Sequence, residues 1–364
     1  MAVEIDDELF GGNITVIDSD VDAVVVAPEP DPEGDFCQWF AFRSRDVDGD
    51  GATVRLDTSG TSWPEALDDY AVFASFDGRA WERIETDRDD EALVFEHPSG
   101  VELAEFALWE PYTPARRRRL AARMRRARGA QVVTLGRTVD GSDLDAVHFA
   151  GGERRVWIVA RQHPGEVMAE WYADGLLERL ADLRDPAVKA LRALASVTVV
   201  SCANLDGSAR GHHRVNALGV DMNRAWLDAD ESRCPEVVAM RAALEQSSVD
   251  LFVDVHGDER TARAFVARSE GNPSYDDRLA ALEDRFVEAL AEACDEFDRE
   301  SGYPIDAPGE ADLRTAANFV GERFDCPSLT LELPFNGAKS GWTSTVARSF
   351  GARSLAAVLA VLDE

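Results

Sequence analysis

Five consecutive uncharged side chains, Val156-Trp157-Ile158-Val159-Ala160, run straight into Arg161-Gln162-His163-Pro164-Gly165-Glu166. An apolar run of that length, closed by Pro and Gly and followed by an amphipathic stretch, reads as a buried strand emptying into a tight loop. Buried strands belong to α/β sheets, and those sheets place ligands just beyond the carboxyl ends of their strands. His163 and Glu166, three residues apart on the loop, can turn towards one point. Two ligands do not make a catalytic zinc site, which takes three protein ligands and keeps one position for water. A chain built around this loop has to supply a third ligand, a base, and something that holds an anionic substrate.

The same pattern of strand followed by polar residue recurs downstream. Val197–Val200 reads as a strand, Leu251–Val255 as another that delivers His256, and Leu329–Leu331 as a third that delivers Glu332. Between them, helical periodicity is expected over Met168–Leu183, Pro186–Leu194, Pro235–Gln246, Tyr275–Phe297 and Trp342–Leu362. Strands alternating with helices predict an α/β/α layer fold with a parallel or mixed sheet. Residues 1 to 115 differ: short β-prone runs such as Asn13–Ile17, Gln38–Phe42, Ala52–Leu56 and Ala92–Phe95 lie between Gly, Pro and Asp clusters. That spacing predicts a smaller antiparallel β-sandwich, with Trp39, Trp63, Trp81 and Trp109 in its core. Pro111–Ala115 is the expected junction, so 364 residues divide into domains 1–115 and 116–364.

Charge narrows the partners. Acids outnumber bases 69 to 38, and a net charge of −31 repels nucleic acid and anionic lipid, so neither is expected to bind. All bases except Lys189 and Lys339 are arginines, which fits either a surface adapted to high salt or a GC-rich genome with an acidic proteome. The run Arg116 to Arg128 reads as a solvated helix face rather than a nucleic-acid site. The acidic N-terminus has no signal-peptide pattern, and no apolar run approaches the ~20 residues of a bilayer span. Five scattered cysteines suit thiols kept reduced, and the expectation is a soluble cytoplasmic protein.

His163, Glu166 and His256 offer two imidazole nitrogens and one carboxylate, a set that suits catalytic zinc. A lone histidine after a strand is more often an ordinary hydrogen-bonding residue, so the three gain weight only together. Of the remaining histidines, His97, His148, His212 and His213, the last two could form a second metal pair, but adjacent side chains on an extended segment face opposite ways and the two are read as structural. Glu332 sits between Leu331 and Leu333, and a carboxylate in an apolar strand is costly unless it has a task, either as general base or as partner of a buried arginine. The segment Asn204–Trp226 carries Arg210, Arg214 and Arg224, whose planar forks suit carboxylates and developing oxyanions.

The order His-Pro-Gly-Glu, Asn-x-Asp-Gly, Arg214, Gly-Val-Asp-x-Asn-Arg-x-Trp, Asp-x-His-Gly and Thr-Leu-Glu, spread over residues 130 to 340, resembles the zinc carboxypeptidases of the carboxypeptidase A family, peptidase family M14. It is most similar to the cytosolic carboxypeptidase-like subfamily, in which a β-sandwich precedes the catalytic domain. The resemblance implies one Zn2+ per chain on His163, Glu166 and His256, with Asp221 orienting His163. It implies Glu332 as general base for the attacking water, Arg214 as stabiliser of the oxyanion, and Asn223 and Arg224 as the grip on a terminal carboxylate. The expected partners are peptide or protein C-termini, including isopeptide-linked glutamate. Leu205 departs from the family's usual Pro, and Tyr303 is the nearest candidate for the tyrosine that closes over substrate. Arg314, in the segment before Glu332, is expected to line the side-chain pocket and favour an acidic residue, unless it is a surface arginine. The rival readings are a zinc deacylase of N-acyl amino acids and a scaffold that binds C-termini without cutting them.

Overall fold

The computed structural model describes residues 3–20, 23–33, 35–89, 91–335 and 341–363. The first part is a sandwich of two five-stranded sheets. One runs β1 (Val3–Asp6), β4 (Ala41–Asp46), β10 (Leu103–Ala107), β6 (Phe73–Ser75) and β7 (Glu82–Arg83). The other runs β2 (Thr15–Ser19), β3 (Ala23–Ala27), β5 (Ala52–Asp57), β9 (Ala92–His97) and β8 (Asp87–Asp89). Inward and outward residues alternate along β3 and β5, as a half-buried strand requires. Phe95 of β9 and Phe106 of β10 meet across the two sheets with ring centroids 5.0 Å apart. The pairings are antiparallel except for β3 with β5, which are parallel. Strand β4 starts at Ala41, later than the run from Gln38 predicts, and the preceding side chains are bonded outside the sheet. Trp39 donates its indole N–H to the carbonyl of Gly11 at 2.8 Å, and the Gln38 amide bonds the backbone of Trp63.

The second part is built on a seven-stranded sheet in the order β11 (Ala130–Arg137), β12 (Asp143–Phe149), β14 (Ala195–Val200), β13 (Arg154–Ala160), β15 (Leu251–Asp258), β17 (Ser328–Pro334) and β16 (Phe265–Ala267). The four central strands are parallel and the edges antiparallel, a mixed sheet. Side chains on β13 alternate between two separate cores. Val156, Ile158 and Ala160 join the one beneath helices α2 (Val167–Leu180), α3 (Pro186–Leu194) and α6 (Asp277–Ala293). Trp157 and Val159 join the other, beneath α5 (Pro235–Ser247) and α7 (Ala316–Phe324). This is why Val156–Ala160 has no polar position: both faces of that part of the strand are covered, and each buried Val or Ile contributes roughly 1.5–3 kcal/mol.

Helix α1 (Pro114–Met124) follows the junction with Thr113 as its cap. Its arginines are not uniformly solvated. Arg116 pairs with Asp174 and Arg117 with the fully buried Glu170, both on α2. The single C-terminal helix expected from Trp342 is two, Ser344–Arg353 and Leu355–Leu362. At the break, Ser354 Oγ donates to the carbonyl of Gly351 and bonds the Tyr172 hydroxyl, and such back-bonding bends helices. Contrary to the expectation from sequence, Ser344–Leu362 does reach the length and hydropathy of a bilayer span, but half of that window is buried inside this fold. Helix α6 starts later than its periodicity suggests because Asp276 caps it, accepting from the amide of Leu279, and ends earlier, where Glu296 and Phe297 bridge to Ala264.

Candidate active site

The loop after β13 is held from behind. Arg161 adopts φ +57°, a left-handed conformation uncommon for a side chain of its size. From there its guanidinium donates to the Pro164 carbonyl at 2.9 Å and to Glu170 at 2.6 Å. Burial raises the Glu170 carboxyl, but Arg117 and Arg161 outweigh it and hold the group ionised. The loop so braced turns His163 and Glu166 inward, and β15 brings His256 beside them in mid-strand rather than after its end. His163 Nδ1 lies 2.6 Å from Glu166 Oε1 and His256 Nδ1 lies 2.8 Å from Glu166 Oε2, while the two Nδ1 atoms face each other at 3.2 Å. All three side chains are buried, and their ligand atoms lie within 4.8 Å of one another. The opposite nitrogens are committed elsewhere, His163 Nε2 to Asp221 at 3.1 Å and His256 Nε2 to Asp254 at 2.7 Å. Burial lowers the affinity of the His256 ring for a proton, yet Asp254 and Glu166 raise it well above the usual histidine value. The cluster thus attracts positive charge to the point where the two Nδ1 atoms and Glu166 meet.

Parallel pairing of β15 with β17 sets Glu332 directly opposite His256. Burial, with Glu166 and Asp258 adding to it, pushes the Glu332 carboxyl up to about 8. Its Oε1 accepts from the Tyr303 hydroxyl at 3.0 Å, and its buried Oε2 has no hydrogen-bond partner. Arg214 donates Nε to Asp221 at 2.8 Å, so Asp221 holds both His163 and this arginine. Asn223 is buried, its carbonyl oxygen accepting from the amide of Ala316 at 2.8 Å, and Arg224 stands more open beside it. His163, Glu166, Arg214, Asn223, Arg224, His256, Tyr303 and Glu332 line one cleft of about 750 Å³, with Asp221 behind it. Arg314 does not line it. Its guanidinium is bidentate to Asp312 two residues earlier, at 2.8 Å on both contacts, and its side chain is 58 % exposed. The expected specificity residue is therefore a surface arginine held by its own segment. His212 and His213 bind no common point; His213 Nε2 pairs with Glu259 at 2.9 Å.

A sequence profile described as zinc carboxypeptidase matches residues 121–345, and one described as the cytosolic carboxypeptidase N-terminal domain matches residues 5–109. The chain belongs to the zinc carboxypeptidase family. It is thus a metallocarboxypeptidase, a peptide hydrolase. A metallo-carboxypeptidase from Burkholderia cenocepacia superimposes with TM-score 0.94 at 33 % identity, covering 99 % of both chains. One from Pseudomonas aeruginosa, solved with (2-guanidinoethylmercapto)succinic acid, gives 0.93 at 35 % identity and the same coverage. An uncharacterized Zymomonas mobilis protein is 35 % identical over 100 % of this chain and 98 % of its own length. Cytosolic carboxypeptidase 6 of Caenorhabditis elegans is 23 % identical over 67 % of this chain, which spans only 55 % of that relative.

The roles of Asp254 and Trp63 at this zinc carboxypeptidase site do not appear among the expectations from sequence, whereas Tyr303 is the nearest candidate there for the tyrosine over substrate. Asp254 backs His256, and its signal was present: in Asp254-Val255-His256 the outer two residues share one face of a strand. Tyr303 does stand over the site, sharing its hydroxyl between Glu332 and Asp258 at 3.0 and 3.1 Å. Trp63, expected in the sandwich core, instead lines the cleft and packs on His213 with ring centroids 5.4 Å apart. No periodicity in the front domain marks Trp63 as different from Trp39 or Trp109, both of which are buried.

Proposed function

We propose that this chain removes the C-terminal residue of peptides or proteins in the cytoplasm, with one zinc ion per chain held by His163, Glu166 and His256. The observation that carries the reading is the orientation of the two imidazoles. Asp221 and Asp254 occupy both Nε2 atoms, which leaves two Nδ1 lone pairs and the Glu166 carboxylate converging within 4.8 Å. Such a set is repulsive without a cation, and two histidines with one carboxylate suit catalytic zinc. Bound there, zinc supplies Lewis-acid polarisation of water and of the scissile carbonyl. The Glu332 carboxyl, raised by burial but drawn back to its ionised form by a cation held beside it, takes a proton from the attacking water and returns it to the leaving amine nitrogen. The Arg214 guanidinium donates to the carbonyl oxygen as charge develops there. Arg224, with Asn223, holds the terminal carboxylate and so restricts cutting to the chain end.

The test is zinc content of the purified chain together with chelator-sensitive release of one C-terminal residue, beside an N-acyl amino acid control. Cleavage of the peptide alone supports the reading. Cleavage of the acyl amino acid alone assigns the site to a deacylase, and binding without cleavage to a recognition scaffold. A glutamyl isopeptide in the same assay decides whether side-chain-linked glutamate is also a substrate.

A further inference from the structure

Arg214 belongs to a stretch of the site that is itself neither helix nor strand. Residues 211–216 follow the short helix α4 (Leu205–Arg210), and none of them is in a helix or strand. Bonds within the catalytic part hold their two ends, such as the Gly165 amide on the His213 carbonyl and the Asn216 amide on the Val220 carbonyl, but the amides of residues 213–215 are held from the other domain. Asp31, 4 % exposed, accepts three consecutive amides, from His213 at 2.6 Å, Arg214 at 2.6 Å and Val215 at 3.0 Å. A buried carboxylate on successive amides is a charge-assisted anion nest, among the stronger backbone restraints available. The Asp31 amide closes its own loop on the Phe36 carbonyl at 2.7 Å, and the Phe36 ring lies 4.9 Å from the Arg214 guanidinium carbon. One loop of the sandwich therefore sets both the backbone of Arg214 and one side of its guanidinium, while Asp221 takes the other. The docking is close along its length. Gly211 has φ +70°, and a Cβ there would meet the Gly12 carbonyl oxygen at 2.4 Å.

We infer that Asp31 is a positioning residue for Arg214, so that the front domain completes the oxyanion-stabilising half of the site. The inference rests on the role proposed above for Arg214. An oxyanion donor contributes about 10²–10³-fold to kcat, and a displacement near 1 Å forfeits about 10²-fold of such preorganisation.

The experiment is a double-mutant cycle on the zinc-loaded full chain, with kcat and KM for one peptide and zinc content for each variant. Asp31→Ala is expected to lower kcat by about 10–10²-fold, with KM and zinc content within about threefold of the parent. In an Arg214→Ala background the same change is expected to cost less than about twofold, because the group it positions is gone. Asp31→Asn keeps the shape and one acceptor and is expected to recover part of the loss; it also replaces Asp31→Ala in the cycle should that variant not fold. Equal costs in the two backgrounds, or an unchanged kcat for both folded Asp31 variants, would overturn the inference. An unchanged kcat for Arg214→Ala alone would instead remove the proposed role of that arginine.

Discussion

Replacing Glu283 by Gln removes a buried charge while keeping its shape. Glu283 lies on α6 behind the start of β17, fully buried, accepting from Ser269 Oγ and Tyr275 Oη at 2.9 Å each. Burial outweighs these donors and pushes the carboxyl up from 4.5 to about 7. A carboxyl whose folded value is raised keeps a proton that the unfolded chain has already released, so its contribution to stability falls as pH rises. The loss begins near pH 4.5, where the unfolded group ionises, and is complete once the pH passes about 7. At about 1.4 kcal/mol per pH unit across that interval, the native state gives up about 3 kcal/mol. Glu283→Gln has no such titration. Its stability relative to the parent is therefore expected to rise by about 3 kcal/mol between pH 4.5 and pH 8, measured by urea unfolding at several pH values. The large net charge acts on both proteins alike and drops out of the difference. Two stability curves that stay parallel across the interval would refute the reasoning.

Three further outcomes follow from the site. Glu332→Gln is expected to lower kcat by about 10²–10⁴-fold with zinc content unchanged, and a variant that still turns over at the parental rate would remove Glu332 as the base. Asp254→Ala frees His256 Nε2 and is expected to weaken zinc about 10–100-fold in a chelator competition; an unaltered dissociation constant would show that the 2.7 Å contact does not orient the ring. Arg314→Ala is expected to leave the ranking of peptides ending in Glu, Leu or Lys unchanged, because Asp312 already occupies that guanidinium outside the cleft. A switch in ranking would restore it to the pocket.

What could be read from the sequence was whatever a short segment determines alone. The apolar run of β13, its loop, and the polar residues His256 and Glu332 that follow apolar runs within β15 and β17 announce themselves because a titratable side chain in a strand buried on both faces is costly without a task. Asn223 and Arg224 travel with Asp221, whose side chain caps its own short turn by accepting from the Asn223 amide. What was hidden depends on pairs far apart in the chain. Asp31 and the loop it grips are about 180 residues apart, and nothing local to Asp31 distinguishes it from the other acids of an acidic chain. Arg314 failed for the converse reason: proximity in sequence to the pocket wall suggested a role, while a neighbour two residues away had already claimed the side chain.

The alternation of β13 between two cores has a practical side. Shifting that strand by one position would send Trp157 to the side built for Val156 and Ile158, and would rotate the departing loop with it. A misthreaded chain therefore has no way to be well packed yet catalytically dead, nor active yet badly packed. For anyone refolding or redesigning this protein, turnover of a simple peptide doubles as a gauge of whether the central sheet has assembled correctly.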